Sequence, residues 1–319
     1  MADRILLVLN GGGALGAYQC GAYKALVRHL SPESLRSMVV VGASIGAVNG
    51  YLIAAHHQDP DGGVEALERF WRNVTMPSIP FNPLPVPYAA RLNATLTGLT
   101  LGNPAIFQAV PGGALGGMFR YPEMAGFDNA TLARTVKTHA PARVARRESG
   151  PRLMIRAIDI EAAEPAWFDS QHEDIELSML GASSAIPLLF KPGEHAGRTY
   201  WDGDVWHQGL LPPALDRMKG DGDGDRFHVI TMELFTRTPG TQPVGFGGNL
   251  DHFRRMFLGA RSDEDAAKAQ ATHPELRLTR IQRHPHPNER VSLWLMDWSA
   301  GRLQYLIEQG EADAERALA

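Results

Sequence analysis

A single cysteine, Cys20, excludes an intrachain disulfide and any multi-cysteine metal site. It fits a reducing compartment, and on a helix it reads as small core packing. No apolar run approaches the roughly 20 residues needed to span a bilayer. The N-terminal run Ile5–Leu9 is shorter than a signal-peptide core and leads straight into glycines without a cleavage-type site, so a cytoplasmic location is expected. Charge of one sign is lacking too. A formal net charge of -4 gives no footprint for nucleic acid, which is not expected as a partner. Peripheral contact with a membrane surface stays open, because apolar insertion needs no basic patch.

The chain has 319 residues, enough for one large α/β domain with a buried site or for two smaller domains. Ile5–Leu9 and Met38–Val41 read as buried strands, with helices over Ala14–Leu30 and Ile45–His57. Strand–helix–strand–helix in this order predicts a mainly parallel sheet flanked by helices. A helix is expected over Glu65–Val74. Between Met76 and Gly126 stand eight prolines and many apolar residues, among them Ile106 and Phe107 that look exposed. This stretch reads as an apolar lid or as a loop packed on the domain.

Further along, Asn129–Lys137 and Ile175–Ala185 read as helices, and Arg152–Asp159 with Ala166–Asp169 as a hairpin or neighbouring strands. Arg198–Trp201 and His228–Glu233 read as strands, Arg237–Leu250 as a loose Gly/Pro-rich segment, and Arg302–Ala317 as an amphipathic helix. The resulting expectation is one α/β domain over 1–319. Its core covers about 5–213, a lid-like insertion 76–126, and a C-terminal strand and helix extension 227–319.

Three short motifs carry chemistry. Gly42-Ala43-Ser44-Ile45-Gly46 matches G-x-S-x-G between a strand and a helix, where a serine is held out from the backbone among small residues. A capping serine at a helix start fits the same letters. Gly11-Gly12-Gly13-Ala14-Leu15-Gly16 links the first strand to the first helix, and its N–H groups suit a developing oxyanion. These letters also fit a dinucleotide loop, but the second strand ends in Gly42-Ala43-Ser44 instead of the acidic residue that would hold a ribose. Tyr200-Trp201-Asp202-Gly203-Asp204 places a carboxylate at a strand end, which could serve as a base or simply form a turn.

Taken together, a glycine loop, a G-x-S-x-G about thirty residues later and a distant D-G resemble the patatin-like phospholipase family, over about Ile5 to Pro213. Ala182-Ser183-Ser184-Ala185-Ile186-Pro187 resembles the segment preceding that family's aspartate, and Leu306–Gly310 a segment of bacterial members. The resemblance implies a three-layer α/β fold and cleavage of phospholipid, lysophospholipid or neutral-lipid acyl esters without a cofactor or metal. It implies Ser44 as nucleophile, Asp202 as the base of a Ser-Asp dyad, and Gly11, Gly12 and Gly13 as the oxyanion loop; on the residues themselves, the Ile45 N–H could help stabilise the same anion. Two departures stand out. Leu15 replaces the family's common basic residue, and Asp204 follows the D-G.

Competing signals are weaker. Twelve histidines keep a Ser-His-Asp triad open, with His207 as its best candidate. Asp221-Gly-Asp223-Gly-Asp225 lacks the glycine and glutamate of a calcium loop, and His284-Pro-His286 lacks further ligands. A short-ester or polyester hydrolase of the polyhydroxyalkanoate type would use the same dyad, and a lipid-binding member with little turnover would keep the fold alone.

Overall fold

The computed structural model describes residues 4–76, 97–98, 100–110, 126–144, 146, 151–219, 226–237, 242–243, 245–285 and 296–319. Strands β1 (Arg4–Leu9) and β2 (Val39–Gly42) are buried on both faces. Ile5, Leu7 and Leu9 point into the larger core, whereas Leu6 and Val8 enter a second core on the opposite face. That two-sided burial is why both strands read as unbroken apolar runs.

The central sheet continues with β3 (Arg152–Asp159), β4 (Glu164–Asp169), β5 (Gly193–His195), β6 (Arg198–Asp202), β7 (Phe227–Glu233) and β8 (Arg277–Gln282). From one edge it runs β8-β7-β1-β2-β3, with all four neighbouring pairs parallel. β4 pairs antiparallel along one edge of β3. The other edge is shared: β2 covers Arg152 to Ile155, and β6 runs in from the opposite direction to cover Ala157 to Asp159, with β5 beside it. The C-terminal ends of β2 and β6 therefore meet head to head along β3. Gly42 lies opposite Ile155 and Asp202 opposite Ala157, two residues or about 7 Å apart along the strand.

Helices α1 (Ala17–His29), α2 (Pro32–Ser37), α3 (Ile45–Ala55), α4 (Pro60–Asn73), α5 (Ala130–Lys137), α6 (Leu177–Ser183), α7 (Leu211–Met218), α8 (Gly245–Thr272) and α9 (Ala300–Leu318) cover the sheet. α9 packs along α1 with backbones almost touching at Gly21 and Gly310, where a Cβ would overlap the facing carbonyl. No described helix is long and apolar enough to cross a membrane.

Several boundaries move. The first helix opens with a 3-10 turn at Gly13–Gly16, and α4 starts at Pro60 because the Asp59 side chain caps it by accepting the Gly62 N–H. Ile175–Glu176 pairs with Arg143–Val144 before α6 begins. The loose segment expected up to Leu250 instead enters the 28-residue α8. The stripe that would announce this helix is inverted. Phe253, Met256 and Phe257 face solvent, while Asp251, Arg261, Ala266 and Ala269 are buried. β8, also unexpected, is an edge strand in which only Ile281 is fully buried. Ile106 and Phe107 are not exposed. They pack into the core, Phe107 edge-on to Phe127 and Phe190. Most of 76–126, the run Asp221–Asp225 and His286 lie outside the described residues.

Candidate active site

Ser44 sits between β2 and α3 at φ 54 and ψ -132, a backbone conformation that side chains other than hydrogen rarely adopt. The turn is enforced by packing. A Cβ on Gly42 would come within 2.5 Å of the Gly46 carbonyl, and one on Gly46 would overlap the Leu9 carbonyl. The Ser44 N–H donates to the carbonyl and the Oγ of Ser183, both at 3.0 Å. Ser183 in turn donates to the Arg156 carbonyl, in the gap between the two strand ends. The segment after α6 thus wedges into the break along β3 and fixes both sides of it.

On the other side of that break, the Asp202 N–H donates to the Ala185 carbonyl at 2.8 Å, and its carboxylate accepts the Asp204 N–H at 2.7 Å. Ser44 lies close enough to favour the ionised form of this carboxyl. Gly203 follows because a Cβ there would overlap the Arg156 carbonyl. Burial, aided by the neighbouring Asp204 charge, pushes the Asp202 carboxyl up to about 7, while the Ser44 and Asp204 hydrogen bonds and Arg156 pull the other way. A carboxylate with that proton affinity is a far better base than an exposed one.

The glycine loop faces the same point. Gly13 has φ 55, and a Cβ on Gly11 would meet the Ser44 Cβ at 2.8 Å. One expected donor is diverted: the Gly11 N–H goes to Asp204 Oδ2 at 3.0 Å, so it does not face an incoming carbonyl oxygen. Gly12, Gly13 and Ile45 remain at the cavity wall beside Ser44, the last at the first position of α3, where a helix leaves its N–H without an intrahelical partner. A carboxylate on the Gly11 amide also occupies the place where a dinucleotide pyrophosphate would need to sit. Leu15, where the resemblance expects a cation, is buried in the core.

Beneath the loop lies a buried polar network that the sequence did not reveal. Asn49 donates to the Gly16 carbonyl at 3.0 Å and to Gln19 at 2.8 Å, and accepts the Trp71 N–H at 3.1 Å. It ties α1, α3 and α4 together on the helix that the Ser44 turn opens.

Ser44 and Asp202 open onto a cavity of about 540 Å³. Its walls are mostly apolar, including Val48, Ile106, Leu132, Ile186, Phe190 and Trp298, with Asn129, Ser184 and Arg254 among the few polar side chains beyond Ser44, Asp202 and Asp204. No histidine lines it among the described residues. His207 is exposed and lies against Trp206, with ring centres 5.0 Å apart.

Residues 7–205 match the family model described as patatin-like phospholipase. Among solved structures the chain is similar to VipD from Legionella pneumophila, at 12% identity and a TM-score of 0.41, covering 99% of this chain and 66% of that one. It is also similar to the type III effector ExoU, at 13% identity and a TM-score of 0.34, covering 99% and 53%. A third match is ExoU in its heterodimeric complex with SpcU from Pseudomonas aeruginosa, at 16% identity and a TM-score of 0.38, covering 99% and 51%. The chain thus spans between half and two thirds of the length of these proteins. No curated protein matches it.

Proposed function

Because the chain belongs to the patatin-like phospholipase family, we propose that it hydrolyses carboxylic acyl esters of phospholipids or lysophospholipids with Ser44 as nucleophile and Asp202 as base. The observation that supports this reading is that Ser44 and Asp202, at facing strand ends along β3, line one largely apolar cavity together. As Ser44 Oγ attacks the ester carbonyl, its proton passes to Asp202 and the carbonyl oxygen becomes an anion facing the N–H groups of Gly12, Gly13 and Ile45. Collapse breaks the ester bond, and the leaving alkoxide takes the proton from Asp202. Water then attacks the acyl-enzyme, again losing its proton to Asp202, and the acid departs as Ser44 recovers a proton.

The test is covalent labelling with a fluorophosphonate, mapped by peptide sequencing. Label on Ser44 that survives His207→Ala supports the dyad, and labelling lost with His207→Ala would restore the triad. No label at all would leave a lipid-binding protein without turnover.

The cavity is the acyl-chain site in this reading. Each methylene taken out of water contributes about 0.8 kcal/mol, roughly a fourfold gain in kcat/KM while the walls still offer contact. Ile186→Trp, which narrows the cavity, is expected to lower turnover of esters with long acyl chains at least ~10-fold and to leave butyryl esters within about twofold. Chain-length profiles of the two proteins provide the measurement. A flat profile in the parent protein would favour the short-ester or polyester alternative.

Phe253 and Phe257 line the cavity yet are 64% and 54% exposed, with Met256 beside them at 54%. This rim suits a lipid surface from which an acyl chain is drawn. Phe253→Ser with Phe257→Ser is expected to weaken sedimentation with phosphatidylcholine vesicles about 100-fold or more, from about 1.5–3 kcal/mol for each of the two rings inserted. Turnover of a monomeric soluble ester with a short acyl chain should fall far less than vesicle binding does. Equal vesicle binding by both proteins would remove the surface-contact part of the proposal.

A further inference from the structure

Asp204, the residue that departs from the family pattern, is neither solvated nor idle. Its Oδ2 accepts the Gly11 N–H at 3.0 Å, and its own N–H donates to Asp202. From the far side Arg261 of α8 reaches in, buried. Its Nη2 donates to Asp204 Oδ1 at 2.7 Å, and its Nη1 donates to the carbonyls of Asp204 at 2.7 Å and Trp206 at 2.9 Å. Arg156 of β3 supports the same loop, donating to the carbonyls of Gly203, Gln208 and Gly209. Its Nη2 stands 3.9 Å from Asp204 Oδ1.

We propose that Asp204 and Arg261 are positioning residues: Asp204 clamps the glycine loop to the base loop through Gly11, and Arg261 holds Asp204 in that place and balances its charge beside Asp202. The inference rests on the assignment of Ser44 and Asp202 above and adds two residues to it.

The charges around Asp202 make the signs definite. Asp204 from its own loop opposes its ionisation, and Arg156 from β3 favours it. Beyond them, Arg261 and Asp265 from α8 act on Arg156 with opposite signs, and Arg254 stands at the cavity wall. Burial, with a small push from Asp204, raises the Asp265 carboxyl to about 6 against the pull of Arg261, the Gly209 N–H and Arg156. With Arg261 in place the Asp204 charge is compensated at contact distance. Without it, two carboxylates two residues apart share one buried site, and like charges resist joint ionisation. Asp204 also uses one oxygen for each partner, so an amide at that position can satisfy Gly11 or Arg261 but not both.

The test is the pH profile of kcat/KM on a soluble ester. Arg261→Gln is expected to move the acidic limb upward by about one pH unit. Asp204→Asn is expected to move it downward by about as much, with a plateau lowered ~10-fold through the loosened glycine loop. Arg261→Lys keeps the charge, so its limb should stay in place while its plateau falls. If Arg261→Gln does not fold, a downward limb in Asp204→Asn beside an unmoved limb in Arg261→Lys still decides. Limbs unmoved in all variants, with only plateaus lowered, would make the pair structural and overturn the proposal. Turnover that survives Ser44→Ala in the parent protein would instead overturn the nucleophile assignment beneath it.

Discussion

Asp202→Asn should lose about three orders of magnitude or more in ester turnover and yet melt at a higher temperature than the parent protein. The first half follows from losing the carboxylate proposed to take the Ser44 proton, which acts on Ser44 from across the cavity. The second half follows from burial. The folded protein raises this carboxyl from an ordinary 3.8 to about 7, so the native state holds the proton more tightly than the unfolded chain does. That contribution is fully favourable below the unfolded value and is lost progressively as pH rises toward about 7. At pH 8 an ionised Asp202 costs the fold on the order of 4 kcal/mol. Asn carries no charge at any pH and keeps one oxygen for the Asp204 N–H. Thermal melts of both proteins at pH 4 and pH 8 should therefore diverge at pH 8 and converge at pH 4. The same group gives the parent protein a kcat/KM that falls about tenfold per pH unit below about 7. Equal melting temperatures at pH 8 would contradict the assignment of a strained, functional carboxylate.

Ser44→Gly and Ser44→Ala should be equally inactive and unequally stable. Alanine keeps a Cβ at φ 54 and ψ -132, whereas glycine enters that region freely. The glycine variant gains about 1–3 kcal/mol of released strain and loses about 0.5–1 kcal/mol to the greater freedom of its unfolded chain. It should melt about 2–4 °C above the alanine variant, given a chain of 319 residues. The reverse order would mean that the turn is not strained and that its serine is held out by packing alone.

The sheet and its motifs were legible where burial is two-sided. Val39-Val40-Val41 and Ile5–Leu9 announce themselves because both faces of each strand meet apolar cores. Ser44 and Asp202 were legible because small residues crowd them for reasons visible in the letters. α8 was not, since its solvent face carries the phenylalanines and its buried face carries Asp251 and Arg261. Arg261 could not be found from spacing at all. It lies 57 residues beyond its partner Asp204, and only the fold brings the two together. The glycine loop was legible as a motif but not in its detail, because nothing in the sequence says that Asp204 takes the Gly11 amide.

The meeting of β2 and β6 on a shared edge of β3 has a consequence for how activity fails. The gap between Ser44 and Asp202 is measured out by Arg156 and its neighbours on one rigid rod, not by the 157 residues of chain that separate them in sequence. Lengthening a surface loop between them leaves that ruler untouched, so inserts there are absorbed without changing the reactive geometry. Only fraying of the rod itself separates the two groups, and heat inactivation should then track the loss of amide protection in β3 rather than any earlier loosening at the periphery.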